Sequence, residues 1–192
     1  MRLNKMFKYL KGKYRLFNRD ERGSTLVEVA LVMPILVSIL LFSFETARYI
    51  LVQQKASRVT ASINDLLARV ADPENQMSDV VNAAGLIMSP FTLGSQSVVV
   101  SSLMYQEVGQ SPRIVWQDRG GGTATYDSQF GAEGDVPDFP NEFTMNDNEA
   151  IITTEFYYTF TPLFNYGFWQ EQNLYYSAFN KPRLEDLDLL LD

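Results

Sequence analysis

The run from Ser24 to Phe44 limits this chain most: 21 residues in which Glu28 is the sole charge. An α-helix rises about 1.5 Å per residue, so a run of this length reaches about 30 Å, the thickness of a bilayer core. A secretory signal peptide would hold about 7–15 apolar residues and then a small-residue cleavage site. This run is longer, and Phe42-Ser43-Phe44-Glu45 is no such site. Pro34 lies inside it. Proline ends most soluble helices, but membrane helices tolerate it. The expectation is a membrane span over residues 24–44, with Ser24, Pro34 and Phe44 as its landmarks. The competing reading is one arm of a buried helical hairpin.

Charge divides sharply around the run. Residues 1–23 carry eight Lys or Arg and two acids, whereas the remainder carries eight basic and 21 acidic residues. A basic flank beside an apolar helix stays on the cytoplasmic side, next to anionic lipid. The predicted orientation is N-terminus in the cytoplasm and a periplasmic C-terminal domain, a single-pass protein of a bacterial inner membrane. The aromatics Phe7, Tyr9, Tyr14 and Phe17 interleave with the leader's cations, a pattern compatible with a surface-lying amphipathic helix. The acidic remainder is a poor match for nucleic acid, which requires a positive footprint.

The chain contains neither Cys nor His. That removes disulfides, thiol nucleophiles, the usual zinc ligands and every Ser-His or Cys-His catalytic arrangement. No cofactor and no metal site is expected.

Helical periodicity continues past the apolar run. Val52, Ala56, Val59, Ile63, Leu66, Leu67 and Val70 recur mostly at steps of three and four, opposite Gln53, Lys55, Arg58, Asp65 and Arg69. This predicts an amphipathic stalk over 45–71, ending at Asp72-Pro73. Glu45 and Arg48 would mark the outer membrane boundary.

The domain from 72 to 192 follows. Ser78 is a candidate cap for a short helix over 79–88, which Pro90 closes. β-Formers predict strands over 97–105, 113–117, 149–161 and 174–179. The first two read as one hairpin and the last two as another, around Asn165-Tyr166-Gly167. Residues 118–148, with Gly120-Gly121-Gly122 and many acids, read as a long loop. In the third strand Ile152, Thr154, Phe156, Tyr158 and Phe160 share a face by alternation. Residues 184–192 alternate Leu with acids and suggest a frayed helix. The fold class is therefore α+β: a long N-terminal helix packed on a small antiparallel sheet of about four strands.

Gly23 and Glu28 stand five apart at the head of the apolar run, behind the basic leader. In that setting Gly23-Ser24-Thr25-Leu26-Val27-Glu28 is similar to the type III signal of type IV pilins and pseudopilins, in which a membrane aspartyl peptidase cuts after the Gly. The wider text GSTLVEVALVMPILVSILLFSFETARYILVQQKASRVT resembles the TadE-like family. These are the TadE, TadF and TadG-type minor pilins or pseudopilins of the tight-adherence (Flp) pilus system. Pro112 to Trp116, Glu155 to Leu163 and Ala178 to Arg183 also look like members of that family. The resemblance implies a pilin-like fold, processing between Gly23 and Ser24, and recognition by the peptidase and the assembly through Glu28. Implied partners are pilus subunits and other minor pilins, the prepilin peptidase and an inner-membrane assembly platform.

Physical chemistry gives Glu28 a role beside the resemblance. A carboxylate inside a bilayer costs about 2.5–3.5 kcal/mol on insertion scales, so it usually has a partner. Cleavage after Gly23 would make Ser24 a new amine, one helical turn from Glu28. A headgroup-level Glu28 without a role is the plainer reading.

The rival function is a membrane-anchored periplasmic enzyme or ligand-binding domain with an uncleaved anchor. Its sequence support is thin. Arg119-Gly120-Gly121-Gly122-Thr123 lacks the Lys-Ser/Thr ending of a phosphate loop. Asp127, Glu133, Asp135, Asp138, Glu142, Asp147 and Glu149 match no EF-hand spacing and read as a solvated loop. Tyr157, Tyr158, Trp169, Tyr175 and Tyr176 would line a sugar-binding face or, more simply, divide between core and surface.

Overall fold

A computed structural model describes residues 22–70, 76–139, 144–164 and 170–183. The leader before Arg22, the Asp72-Pro73 stop, the turn at Asn165-Tyr166-Gly167 and the helix expected over 184–192 lie outside the described residues. By contacts the chain forms two units, Met1–Thr46 and Ala47–Asp192.

Helix α1 spans Arg22–Leu67. In the second unit its inward stripe is Val52, Ala56, Val59, Ile63 and Leu67, all fully buried. The steps of four, three, four and four are those of one helical face. Leu66, expected in this stripe, is instead 44% exposed. The helix also stops short of Ala71. Arg69 N and Val70 N bond the Leu66 and Leu67 carbonyls, tightening the last turn to 3₁₀ spacing. The Ala68 carbonyl is taken by Arg183 N at 2.8 Å, so a distant strand end terminates the helix.

Helix α2 spans Met77–Met88 and buries Met77, Val80, Ala84 and Met88. Ser78, the expected cap, lies within it, and the N-cap is Gln76, without a side-chain cap bond. The other end is held by a cation. Lys55 Nζ donates to the carbonyls of Ile87 at 3.1 Å and Ser89 at 2.5 Å, where a helix C-terminus favours positive charge.

Four strands follow: β1 (Val98–Gln106), β2 (Arg113–Gly121), β3 (Glu149–Phe160) and β4 (Gln172–Asn180). They form one sheet in the order β2-β1-β3-β4, with every neighbour antiparallel. The α+β expectation and both hairpins match this layout. β2 is longer than expected, because Asp118 to Gly121 pair with Ser101 to Val98. The glycines there permit close approach. A Cβ on Gly120 would fall 2.4 Å from Val81 Cγ2 on α2, and one on Gly122 would fall 2.2 Å from the Ser95 carbonyl oxygen. The run expected to be a flexible loop is thus where α2 and the 94–97 turn press onto the sheet.

Ala150, Ile152, Phe156, Tyr158 and Phe160 on β3 join the core under α1 and α2. The Arg48 guanidinium, expected at the outer membrane boundary, stands 5.5 Å from the Phe160 ring centroid and 5.9 Å from that of Phe91. The opposite face of the sheet is covered as well. Phe130 and Met145 pack on Met104, Ile114 and Ile151, while Ala124 and Tyr126 pack on Val98, Val100 and Tyr157. The stretch after β2, expected to be solvated, therefore forms a third layer. Its pairing with β2 includes Gly134 N to Ile114 O at 2.8 Å and Ile114 N to Asp135 O at 3.0 Å.

Candidate functional site

Residues 23 to 46 continue helix α1 in the first unit. Among the described residues this helix alone has the length and apolarity to cross a membrane. Its apolar side chains point to all sides. Leu26, Leu31 and Leu40 are 72%, 68% and 69% exposed, and Phe44 is 52% exposed. A soluble helix would bury one stripe, whereas a helix apolar all round needs an apolar surrounding.

Two hydroxyls of this segment bond locally. Pro34 has no N–H to give the Ala30 carbonyl, yet the helix runs through it. Ser38 Oγ donates to the Pro34 carbonyl at 2.7 Å, and Thr46 Oγ1 donates to the Phe42 carbonyl at 2.8 Å. Each hydroxyl thus bonds within its own helix, as an apolar solvent demands.

Gly23 and Glu28 are exposed at the head of the helix. A Cβ on Gly23 would meet nothing within 4 Å among the described residues. Glycine in a helix is less favourable than alanine by about 1 kcal/mol, and packing here supplies no reason for it. Ser24 Oγ lies 3.5 Å from Glu28 Oε1, at the long limit of a hydrogen bond. Ser24 and Glu28 thus share a face across one turn, as their spacing required.

A second polar centre was not singled out from the sequence. Glu155, buried in the middle of β3, accepts from Ser128 Oγ, from Gln129 N at 2.9 Å and from Tyr175 Oη at 2.9 Å. Tyr157 Oη lies 3.1 Å from Glu155 Oε1 and 3.0 Å from the Asp127 carbonyl, so one proton serves two acceptors. Burial, and then the charge of Glu155, raise the Tyr157 and Tyr175 hydroxyls well above the ordinary tyrosine range. Both stay protonated and donate. The arrangement ties the layer after β2 to the sheet. The only hint in the sequence was one acid within the otherwise uncharged text Ala150 to Phe160.

The remaining candidates separate. Tyr157 and Tyr158 are buried, Tyr175 and Tyr176 half-buried, and Trp169 lies outside the described residues, so these aromatics form no common exposed face. Of the acids, Asp135, Asp147 and Glu149 are engaged apart from one another, and Glu142 lies outside the described residues. Asp135 Oδ2 accepts from Ala132 N at 3.0 Å, Asp147 Oδ1 accepts from Gln106 Nε2 at 3.1 Å, and Glu149 pairs with Lys181 Nζ at 2.5 Å.

The family model described as TadE-like protein matches residues 23–62. The match takes in Gly23, Ser24, Glu28, Pro34 and Phe44 and ends inside α1, before β1 begins. No curated protein and no solved structure matches the chain.

Proposed function

We propose that this chain is a TadE-like minor pilin or pseudopilin that serves assembly of a tight-adherence (Flp-type) pilus. The helix head carries this reading: a family match that starts at Gly23, a glycine without a packing role, and one carboxylate in an otherwise uncharged, outward-facing apolar span.

The span over 24–44 anchors the protein once in the inner membrane. Its N-terminus is cytoplasmic and the sheet domain periplasmic, because the leader holds the basic excess. The prepilin peptidase cuts between Gly23 and Ser24. The helix head is then short and uncharged except for the new amine and Glu28. Neutralising that carboxylate in lipid is favourable by a few kcal/mol, which gives subunits a reason to meet at this depth. Pilus subunits, other minor pilins and the inner-membrane platform are the partners. The role is assembly rather than catalysis.

Replacement of Glu28 tests the reading. Glu28→Ala should leave the protein membrane-bound, with its sheet domain folded, and abolish piliation or incorporation into the pilus. Normal piliation by Glu28→Ala would remove the assembly role of this carboxylate. It would favour an uncleaved anchor that simply tethers a periplasmic domain.

A further inference from the structure

A groove of about 460 Å³ opens beside the ends of β3 and β4, lined by Ser95, Gln96, Tyr126, Thr161, Glu171 and Asn173, among others. We propose that it binds a neutral oligosaccharide. Binding here is independent of residues 22–46 and of any role in pilus assembly.

The lining selects the ligand class. Among the described residues it holds hydroxyls, amides, one carboxylate and one aromatic ring, and neither Lys nor Arg. Phosphate and other anions would meet Glu171 with no cation to offset it. A lipid chain would find mostly polar walls. A sugar hydroxyl donates and accepts at once, so it needs both partners nearby. The groove supplies them in a fixed pattern. Thr159 Oγ1 donates to Asn173 Oδ1 at 2.9 Å, which leaves the Asn173 amide N–H groups as donors. Thr161 Oγ1 donates to Glu171 Oε1 at 3.3 Å, and the second carboxylate oxygen remains an acceptor. Glu171 immediately precedes β4 and Asn173 lies within it; Thr161 and Thr159 hold them in turn, and both line the groove. A donor amide and an acceptor carboxylate side by side suit a pair of neighbouring hydroxyls.

Tyr126 adds what a purely polar groove lacks. A pyranose has an apolar C–H face, and an aromatic ring is the usual surface to receive it. The Tyr126 ring stacks on Tyr157 with centroids 4.6 Å apart and planes within 3°. Tyr126 is only half-buried and lines the groove, so it is the ring a ligand there can meet. Tyr157 is itself buried and bonded to Glu155, so the platform is rigid.

The walls are preformed, which spares ordering cost on binding. Thr123 N and Ala124 N bond the Ser95 carbonyl at 2.9 and 3.0 Å, Ser97 N bonds Gly94 O at 3.0 Å, and Gly122 N bonds Ser97 O at 2.7 Å.

The test is calorimetric titration of the full-length protein in a zwitterionic detergent, since alkyl glycosides would compete. Chitotetraose and maltotetraose are the neutral probes and inorganic phosphate the anionic one. One or both tetrasaccharides should saturate a single site, with phosphate silent. Tyr126→Ala should weaken binding at least about tenfold. Asn173→Ala, at an exposed position, should do the same without altering thermal unfolding, and it serves if Tyr126→Ala folds poorly. No saturable binding of either tetrasaccharide up to about 10 mM would overturn the assignment. So would wild-type affinity in Asn173→Ala, or binding of phosphate alone.

Discussion

Arg183 Nη2 lies 2.7 Å from Asp65 Oδ1 and joins the stretch after β4 to the last turns of α1. Arg69 holds the other oxygen of Asp65 at 2.6 Å, and Arg183 N takes the Ala68 carbonyl. Two residues earlier, Lys181 reaches Glu149 at the start of β3. The Lys181-Pro182-Arg183 text thus closes the domain by binding a helix end and a strand start. Exposed ion pairs contribute little singly, so Arg183→Ala should lower stability by about 0.5–1 kcal/mol. Urea unfolding of the purified protein reads this. In an Asp65→Ala background the same change should cost less, because the two side chains share one interaction.

Glu155 offers a larger effect. Glu155→Ala leaves Ser128, Gln129 N and Tyr175 without their buried acceptor, and a loss of about 3 kcal/mol is expected. The stretch from Ala124 to Phe130 should become more sensitive to limited proteolysis, while β3 and β4 stay paired. Equal protease resistance in wild type and variant would show that other contacts hold this layer.

The tyrosines set an alkaline limit. Tyr157 and Tyr175 are raised above the ordinary value of 10.0, first by burial and then by Glu155. A raised folded-state value means that the unfolded chain releases its protons first, near pH 10. Their contribution is complete below that point and falls as pH rises above it. Unfolding midpoints should therefore drop steeply above about pH 10. Tyr175→Phe should flatten that drop. On the acid side, Lys181 first, and then the Asn146 backbone N–H, lower Glu149 from 4.5. Its contribution is present above that value and fades as pH falls through the lowered one.

The glycines on β2 and just after it are tested by adding a methyl group. Gly120→Ala should displace Val81 or Met77, and Gly122→Ala meets the Ser95 backbone directly. Costs of about 1–3 kcal/mol are expected, larger at Gly122, where backbone must shift instead of a flexible side chain. Thermal unfolding orders the two.

These glycines also mark where sequence reasoning fell short. A run of three glycines is a loop signal by composition, and only the tertiary approach of α2 and the 94–97 turn makes it a packing device. The stripe from Val52 to Ile63 was legible because helical period and burial coincide. Leu66 was misplaced because a stripe read by steps of three and four admits a residue on its edge. The face of β3 holding Ile152, Phe156 and Phe160 was legible by alternation. Its opposite face was not, because the cover comes from an acidic, glycine-bearing stretch whose Phe130 and Met145 carry no periodicity. Glu155 went unread for the same reason: three of its four donors are 20 or more residues away in sequence. Gly23 and Glu28 needed no tertiary information, since their spacing and the apolar run after them are local.

Mass spectrometry of the membrane-extracted protein, from cells that build the pilus, tests the central claim most directly. A mature chain beginning at Ser24 is the predicted result, and Gly23→Leu should retain the leader. An intact chain carrying residues 1–23 in such cells would contradict it.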